Sequence, residues 1–260
     1  MLSYVEASGE VQQSGLGFDK HNQIVEGLCF AGNSNLLNSI IRFCQLTPDG
    51  AGCSIWFMLI VIDYNIGNVK SVCNAFRYLG CEVELSCDPK KIEAATALVL
   101  PGVAAFGFAV NALGSLGSCI KDLARAGKPL LGICVGYQML FDESCEFGMH
   151  KGLGLVSGNV VPIPLGRVIP HMGWNKVGLP DDMALFTGLV PEKHFYFAHS
   201  FYANVTDTSA KVAYADYGFN LPAAVQKGNI YGTQFHPEKS GPQGLQVLRN
   251  FARIAEGRAG

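Results

Sequence analysis

Two short stretches of this chain hold residues that could carry out nucleophilic chemistry. The first is Gly132-Ile133-Cys134-Val135-Gly136. An apolar run, Pro129-Leu130-Leu131, precedes it, and a helical pattern of Tyr137, Met139, Leu140 and Phe141 follows. A strand therefore enters, one residue turns sharply, and a helix leaves. Small residues two before and two after the turn allow the backbones to pack closely, as in the Gly-x-Ser-x-Gly elbow of many hydrolases, here with sulfur in place of oxygen. A cysteine at a helix start feels the positive end of the helix dipole, which favours the thiolate. The second stretch, Gln234-Phe235-His236-Pro237-Glu238, supplies a base. In extended chain, residues two apart point to one side, and Pro237 restricts the backbone between them. Glu238 could then orient the imidazole of His236 while His236 faces the thiol, the cysteine form of a nucleophilic triad.

Elements that could position these groups are visible along the chain. From Met58 onward, strands and helices alternate. Met58–Ile62 reads as a buried strand, Asn68 as the cap of a helix reaching Leu79, and Glu82–Ser86 as a short strand. Asp88-Pro89 reads as a helix start, and Ala97–Leu100 as a strand closed by Pro101-Gly102. A helix is expected from Phe106 to Ala126 with a break near Gly114–Gly117, before the strand Leu130–Ile133. This rhythm predicts an α/β fold with a parallel sheet and helices on both faces. Beyond Gly152, strands are expected at Asn159–Ile163, Asn175–Val177, Phe195–Tyr202, Val212–Tyr217 and Ala223–Phe235. Lys227-Gly228-Asn229 forms the expected hairpin turn, and a closing helix runs from Gln243 to Ala255.

Composition narrows the function classes. The 260 residues carry a net charge of −2 and are 49% hydrophobic, which gives ample core and no basic bias toward nucleic acid or an anionic membrane surface. No apolar run approaches the roughly 20 residues of a membrane span, and the opening segment lacks the pattern of a secretory signal. The nine cysteines fall at irregular spacings with no Cys-x-x-Cys pair, so no zinc site, redox dithiol or other metal centre is indicated. Cys73, Cys81, Cys87 and Cys119 read as small buried hydrophobes in a reducing cytoplasm. No Gly-x-Gly-x-x-Gly follows a strand, so no nucleotide or flavin cofactor is expected. Residues 1–57 carry no motif and are more acidic than basic. They are expected to be a poorly ordered extension or a stretch upstream of the true start, with the domain occupying residues 58–260.

The two motifs, read as Gly132 to Gln138 and Gln234 to Glu238, resemble the signatures of class I, triad-type glutamine amidotransferases. Ile62-Asp63-Tyr64-Asn65-Ile66-Gly67-Asn68, Pro101 to Gly107, Pro170-His171-Met172-Gly173-Trp174-Asn175 and His194 to Phe201 resemble, more narrowly, the amidotransferase subunits of imidazole glycerol phosphate synthases. The resemblance covers Met58 to the C-terminus. It implies a flavodoxin-like α/β fold with a mostly parallel central sheet flanked by helices. It implies hydrolysis of glutamine to glutamate and ammonia. It also implies a separate (β/α)8 cyclase subunit, which uses the ammonia to form imidazole glycerol phosphate in histidine biosynthesis.

The resemblance also implies roles. Cys134 would attack the glutamine side-chain carbonyl, His236 would protonate departing ammonia and then activate water, and Glu238 would hold the ring. Backbone N–H groups of Val135 and of the loop containing Val103 and Ala104 would meet the oxyanion. The family usually has glycine where this chain has Ala104, and an alanine driven to positive φ costs roughly 1 kcal/mol or more. Gln138, one helical turn after Cys134, would bind substrate. His199, Ser200 and Phe201 would hold the α-amino and α-carboxylate groups, mainly through backbone. His171, Met172, Gly173 and Trp174 are expected near the cyclase interface, with Asn65 and Asn68 contributing. Two other readings stay open: a glutaminase subunit serving another synthase, and a non-catalytic binding subunit of the same fold.

Overall fold

Four wholly buried residues, Leu59–Ile62 (β1), open the computed structural model, which describes residues 58–258. The expected extension at residues 1–57 lies outside the described residues. After β1 come α1 (Val69–Tyr78), β2 (Val83–Ser86), α2 (Pro89–Ala94), β3 (Ala97–Leu100), α3 (Phe106–Leu113), α4 (Leu116–Arg125), β4 (Leu130–Ile133) and α5 (Val135–Gln138). The local signals act as expected in most of these elements. The Asp88 carboxylate caps α2 by accepting from the Lys90 N–H at 2.9 Å. The long helix expected from Phe106 splits at Gly114, whose φ of 52° ends α3. Asn68 occupies the cap position of α1, but its side chain accepts the Ser71 hydroxyl at 2.8 Å and makes no cap bond to the backbone.

The second half is richer in strands: β5 (Glu143–Ser144), β6 (His150–Lys151), β7 (Gly158–Pro162), β8 (His171–Gly178), β9 (Glu192–His199), β10 (Phe201–Val205), β11 (Lys211–Asp216), β12 (Asn220–Lys227) and β13 (Ile230–Thr233), before α6 (Gly241–Ala255). Nine strands form one sheet in the order β2-β1-β3-β4-β13-β12-β11-β8-β9, and β10-β7-β5-β6 form a second. The large sheet is parallel from β2 through β13 and antiparallel from β13 to β9. The α/β class holds, and the parallel half corresponds to the strand–helix rhythm of the first part of the chain.

Two strands differ from expectation for physical reasons. β8 extends well beyond Asn175–Val177 and includes His171 to Trp174, where polar residues and a glycine hide the alternation. The stretch Phe195–Tyr202 breaks at Ser200, whose carbonyl accepts from Ile163 N–H at 3.0 Å, so that β9 and β10 join different sheets. β5 and β6 are two residues each, too short for any periodicity to reveal. Cys73 is buried and Cys81 and Cys119 are partly so, but Cys87 is exposed, because it lies in the bend between β2 and the cap of α2. No helix among the described residues is long and apolar enough to cross a membrane.

Candidate active site

Cys134 stands between β4 and α5 with φ 56° and ψ −110°, a conformation that side-chain-bearing residues rarely adopt. The two flanking glycines make this turn possible. A Cβ on Gly136 would lie 1.7 Å from the Leu100 carbonyl oxygen, and one on Gly132 would lie 2.6 Å from that of Gly136. The elbow therefore packs directly on the end of β3. α5 covers only four residues, shorter than the pattern through Phe141 suggests, because the chain turns off after Met139.

His236 follows β13, which lies parallel to β4 with Thr233 opposite Ile133. The two motifs, far apart in sequence, thus leave neighbouring strands at the same end. The backbone of His236 is held by its N–H to the Tyr196 carbonyl at 2.9 Å and by the Ser240 hydroxyl to its own carbonyl at 2.6 Å. Its Nδ1 meets Glu238 Oε1 at 2.9 Å, its ring lines the same cavity as Cys134, and the Cys134 thiol itself points to the Ala198 carbonyl at 3.9 Å. The approach of Glu238 is not made through extended chain as the spacing suggests. Pro237–Lys239 is a turn of 3-10 helix, which folds the carboxylate back behind the ring. Burial alone would push the imidazole down. The neighbouring Cys134 sulfur and the hydrogen-bonded Glu238 carboxylate outweigh burial and raise it to about 10.

A cavity of about 320 Å³ opens over the sulfur, near the lower end of the ~300–1,000 Å³ typical of small-molecule sites. It brings together Cys134, His236, Val103, Ala104, Val135, Gln138, His199, Ser200 and Phe201, all singled out in the sequence. Glu238 stands behind the ring and instead borders a shallower depression with Ser71, Asn74 and Tyr78, which reaches neither the sulfur nor the imidazole. Gln138 is almost wholly buried, and its Nε2 donates to the Phe201 carbonyl at 2.9 Å and to Gln234 Oε1 at 3.0 Å.

The oxyanion donors are not arranged as expected. The Val135 N–H donates to the Gly102 carbonyl at 3.3 Å and so does not face the cavity freely. Ala104 is not among the residues of positive φ, so the strain expected there is absent in this arrangement. His171, expected near the cyclase interface, points into the protein. It is buried with a relative exposure of 3%, stacked against Phe197, whereas Met172 and Trp174 on the same strand are exposed. In β8 the odd positions face inward and the even positions outward, which puts His171 on the inner side.

Some participants take roles that the sequence motifs do not disclose. The Tyr64 hydroxyl donates to the Pro101 carbonyl and braces the loop before Val103. Glu146, which also lines the cavity, accepts from the Phe106 N–H at 2.7 Å and ties down the start of α3. Gln234 lay within the quoted histidine motif, and its amide as a partner of Gln138 depends on the pairing of β13 with β4. Among the described residues, no three His, Cys, Asp or Glu side chains are grouped as metal ligands.

The family model for class-I glutamine amidotransferases matches residues 60–255. The imidazole glycerol phosphate synthase subunit HisH of Methanothermobacter thermautotrophicus is 48% identical over 197 residues, covering 76% of this chain and 98% of that protein. The same subunit of Lacticaseibacillus casei is 48% identical over 208 residues, covering 78% and 98%.

The chain belongs to the class-I glutamine amidotransferases, in the HisH family.

Solved structures agree on the fold. A glutamine amidotransferase crystal structure superposes with a TM-score of 0.61 at 21% identity, over 76% of this chain and 98% of that one. PurLQS from Thermotoga maritima gives 0.62 at 22% identity, over 76% and 98%. In this HisH-family chain, the family motifs fall on the elbow and the histidine turn described above.

Proposed function

We propose that this chain is the glutaminase subunit of an imidazole glycerol phosphate synthase, with Cys134, His236 and Glu238 as its triad. The observation that carries this reading is that the Cys134 sulfur and the His236 imidazole share one cavity bordered by Gln138 and the Ser200–Phe201 segment, with Glu238 Oε1 2.9 Å from Nδ1 behind the ring. The Cys134 sulfur attacks the side-chain carbonyl carbon of glutamine. The C–N bond breaks as His236 passes a proton to the departing nitrogen, leaving ammonia and a γ-glutamyl thioester. His236 then takes a proton from water, whose oxygen attacks the thioester, and glutamate leaves as the sulfur is released. Glu238 keeps Nδ1 occupied so that Nε2 faces the sulfur.

The oxyanion needs donors that the resting arrangement withholds. Rotation of the Gly102–Val103 peptide would remove the Gly102 oxygen from Val135 N–H and turn the Val103 N–H toward the cavity, with Ala104 adjusting behind it. One movement would then supply both donors.

The partner in this reading is a (β/α)8 cyclase subunit that receives the ammonia. Support comes from the outward face beside the cavity mouth, where Met172 and Trp174 are exposed, Trp174 meets Tyr196 edge-on at 6.2 Å, and Lys239 lies over Tyr196 at 5.9 Å. Exposed aromatic and aliphatic side chains grouped in this way suit the core of an interface. We place the activity in the cytoplasm, where the free thiols of the described cysteines would persist. The catalytic domain is taken to begin near Met58, in keeping with relatives matched over nearly their whole length.

The test is reconstitution. The protein is mixed with a cyclase subunit, its ribotide substrate and glutamine, and imidazole glycerol phosphate is followed. Product formation that disappears in Cys134→Ala, together with labelling of Cys134 by a glutamine-derived chloroketone, is expected. No glutamine turnover and no labelling in the folded complex would overturn the reading.

A further inference from the structure

His171 and His199 face each other directly across β8 and β9, as register partners and as side chains, with His171 Nδ1 at 2.9 Å from His199 Nε2. Their hydrogen bonds allow only one direction. His199 Nδ1 lies 2.8 Å from the Phe201 carbonyl, which can only accept, so that nitrogen carries a proton. Burial pushes His199 down to about 3 and His171 down to about 4, so both rings are neutral near pH 7. His199 Nε2 is then a bare acceptor and His171 Nδ1 must be its donor. The remaining nitrogen, His171 Nε2, faces the Asn175 amide at 3.4 Å, and that amide also donates to the Asp216 carbonyl at 3.0 Å. The ring of His171 is held between Phe197, 4.6 Å away, and Tyr217, 4.0 Å away.

The line ends at the site. The Phe201 carbonyl that accepts from His199 also accepts from Gln138 Nε2. Two side chains therefore converge on the Phe201 carbonyl, and one of them has its other ring nitrogen held by His171. The next residue of β8, Met172, lines the cavity from the outward face.

We propose that His171 is a positioning residue for glutamine: its Nδ1–H donates to His199 Nε2 and fixes the tilt of that ring, which holds the Phe201 carbonyl beside Gln138 and so sets the Ser200–Phe201 segment for the substrate's α-groups. The inference rests on the glutaminase reading and adds to it a residue that touches neither substrate nor reacting atoms. It also gives β8 two duties, one on each face: outer residues for the partner and inner residues for the substrate wall.

His171→Phe keeps a flat ring between Phe197 and Tyr217 and removes the donor. In the complex with cyclase and ribotide, KM for glutamine is expected to rise about tenfold, the scale of one lost hydrogen bond, while kcat changes less than about threefold. His171→Asn, whose amide can place an N–H near the lost Nδ1, is expected to restore KM to within about threefold. In histidine ¹⁵N spectra of the complex, the unprotonated Nε2 of His199 should move downfield in His171→Phe and return in His171→Asn. An unchanged KM in a folded His171→Phe complex would overturn the proposal. If that variant fails to fold, the wild-type spectrum decides alone: His199 protonated at Nε2 instead of Nδ1 would overturn it. Failure of the glutaminase reading looks different, since the wild-type complex itself would then neither turn over glutamine nor label at Cys134.

Discussion

The Val135 amide donates to the Gly102 carbonyl oxygen at 3.3 Å, so a donor expected for the oxyanion is engaged by the loop that must supply the other. Glutamine bound to this arrangement would meet a poised sulfur and no place for the negative charge. Loss of a single oxyanion donor typically costs ~10²–10³ in turnover, so the proposed peptide rotation is expected to set the rate in the absence of a partner.

Val103→Gly should raise glutamine turnover without the cyclase. The rotated peptide takes residue 103 toward a φ that glycine accepts and valine resists, a difference of about 1 kcal/mol or about fivefold in rate. Ala104→Gly, one link further along, should give a smaller rise in the same direction. Steady-state ammonia release checks both, and an unchanged or lower rate in each would show that this loop does not limit turnover.

Glu238→Gln should lower kcat by roughly 10²–10⁴ while leaving KM for glutamine nearly unchanged. The amide can offer Nδ1 the wrong partner and lets the ring settle in the wrong tautomer. Kinetics with the cyclase bound separate the two constants. A loss confined to KM would place Glu238 in substrate binding instead.

The raised imidazole also makes stability depend on pH. Because the folded His236 titrates at about 10 and an unfolded histidine near 6.5, its contribution is fully present below pH 6.5 and is lost as pH rises toward 10. The stability gap between wild type and Glu238→Gln should therefore be widest near pH 6 and narrow steadily to pH 10. Urea unfolding across that range measures it. A gap already closed at pH 7.5 would mean that His236 is not held in its charged form.

Gly136→Ala should destabilise the protein by about 3 kcal/mol or prevent folding, because the added carbon would overlap the Leu100 carbonyl. The same substitution at Gly80, where a Cβ meets nothing within 4 Å but φ is 80°, isolates the cost of backbone conformation alone. Equal losses at both sites, read by urea unfolding, would remove the steric explanation.

The site was legible in the sequence wherever the chemistry constrains neighbours. Cys134 needs small residues on both sides, and His236 needs a carboxylate within reach, so both motifs are written locally. β1, β3 and β4 were legible because strands buried on both faces are continuous apolar runs. β8 was obscured because His171, Gly173 and Asn175 face inward without being apolar, and only the pairing with β9 explains them. The burial of His171 and the engagement of Val135 were not legible for a related reason. Each depends on where a distant segment comes to rest, the β9 strand in one case and the Gly102 loop in the other.

The change from parallel to antiparallel pairing at β13 has an evolutionary consequence. The elbow and the histidine turn grow from strand ends fixed by the parallel core, whereas the wall that greets the substrate hangs on the last hairpin of the sheet. Drift in that hairpin can retune affinity or accommodate a new docking companion while the bond-breaking apparatus stays untouched. A lineage could in this way exchange the destination of its ammonia without relearning how to make it.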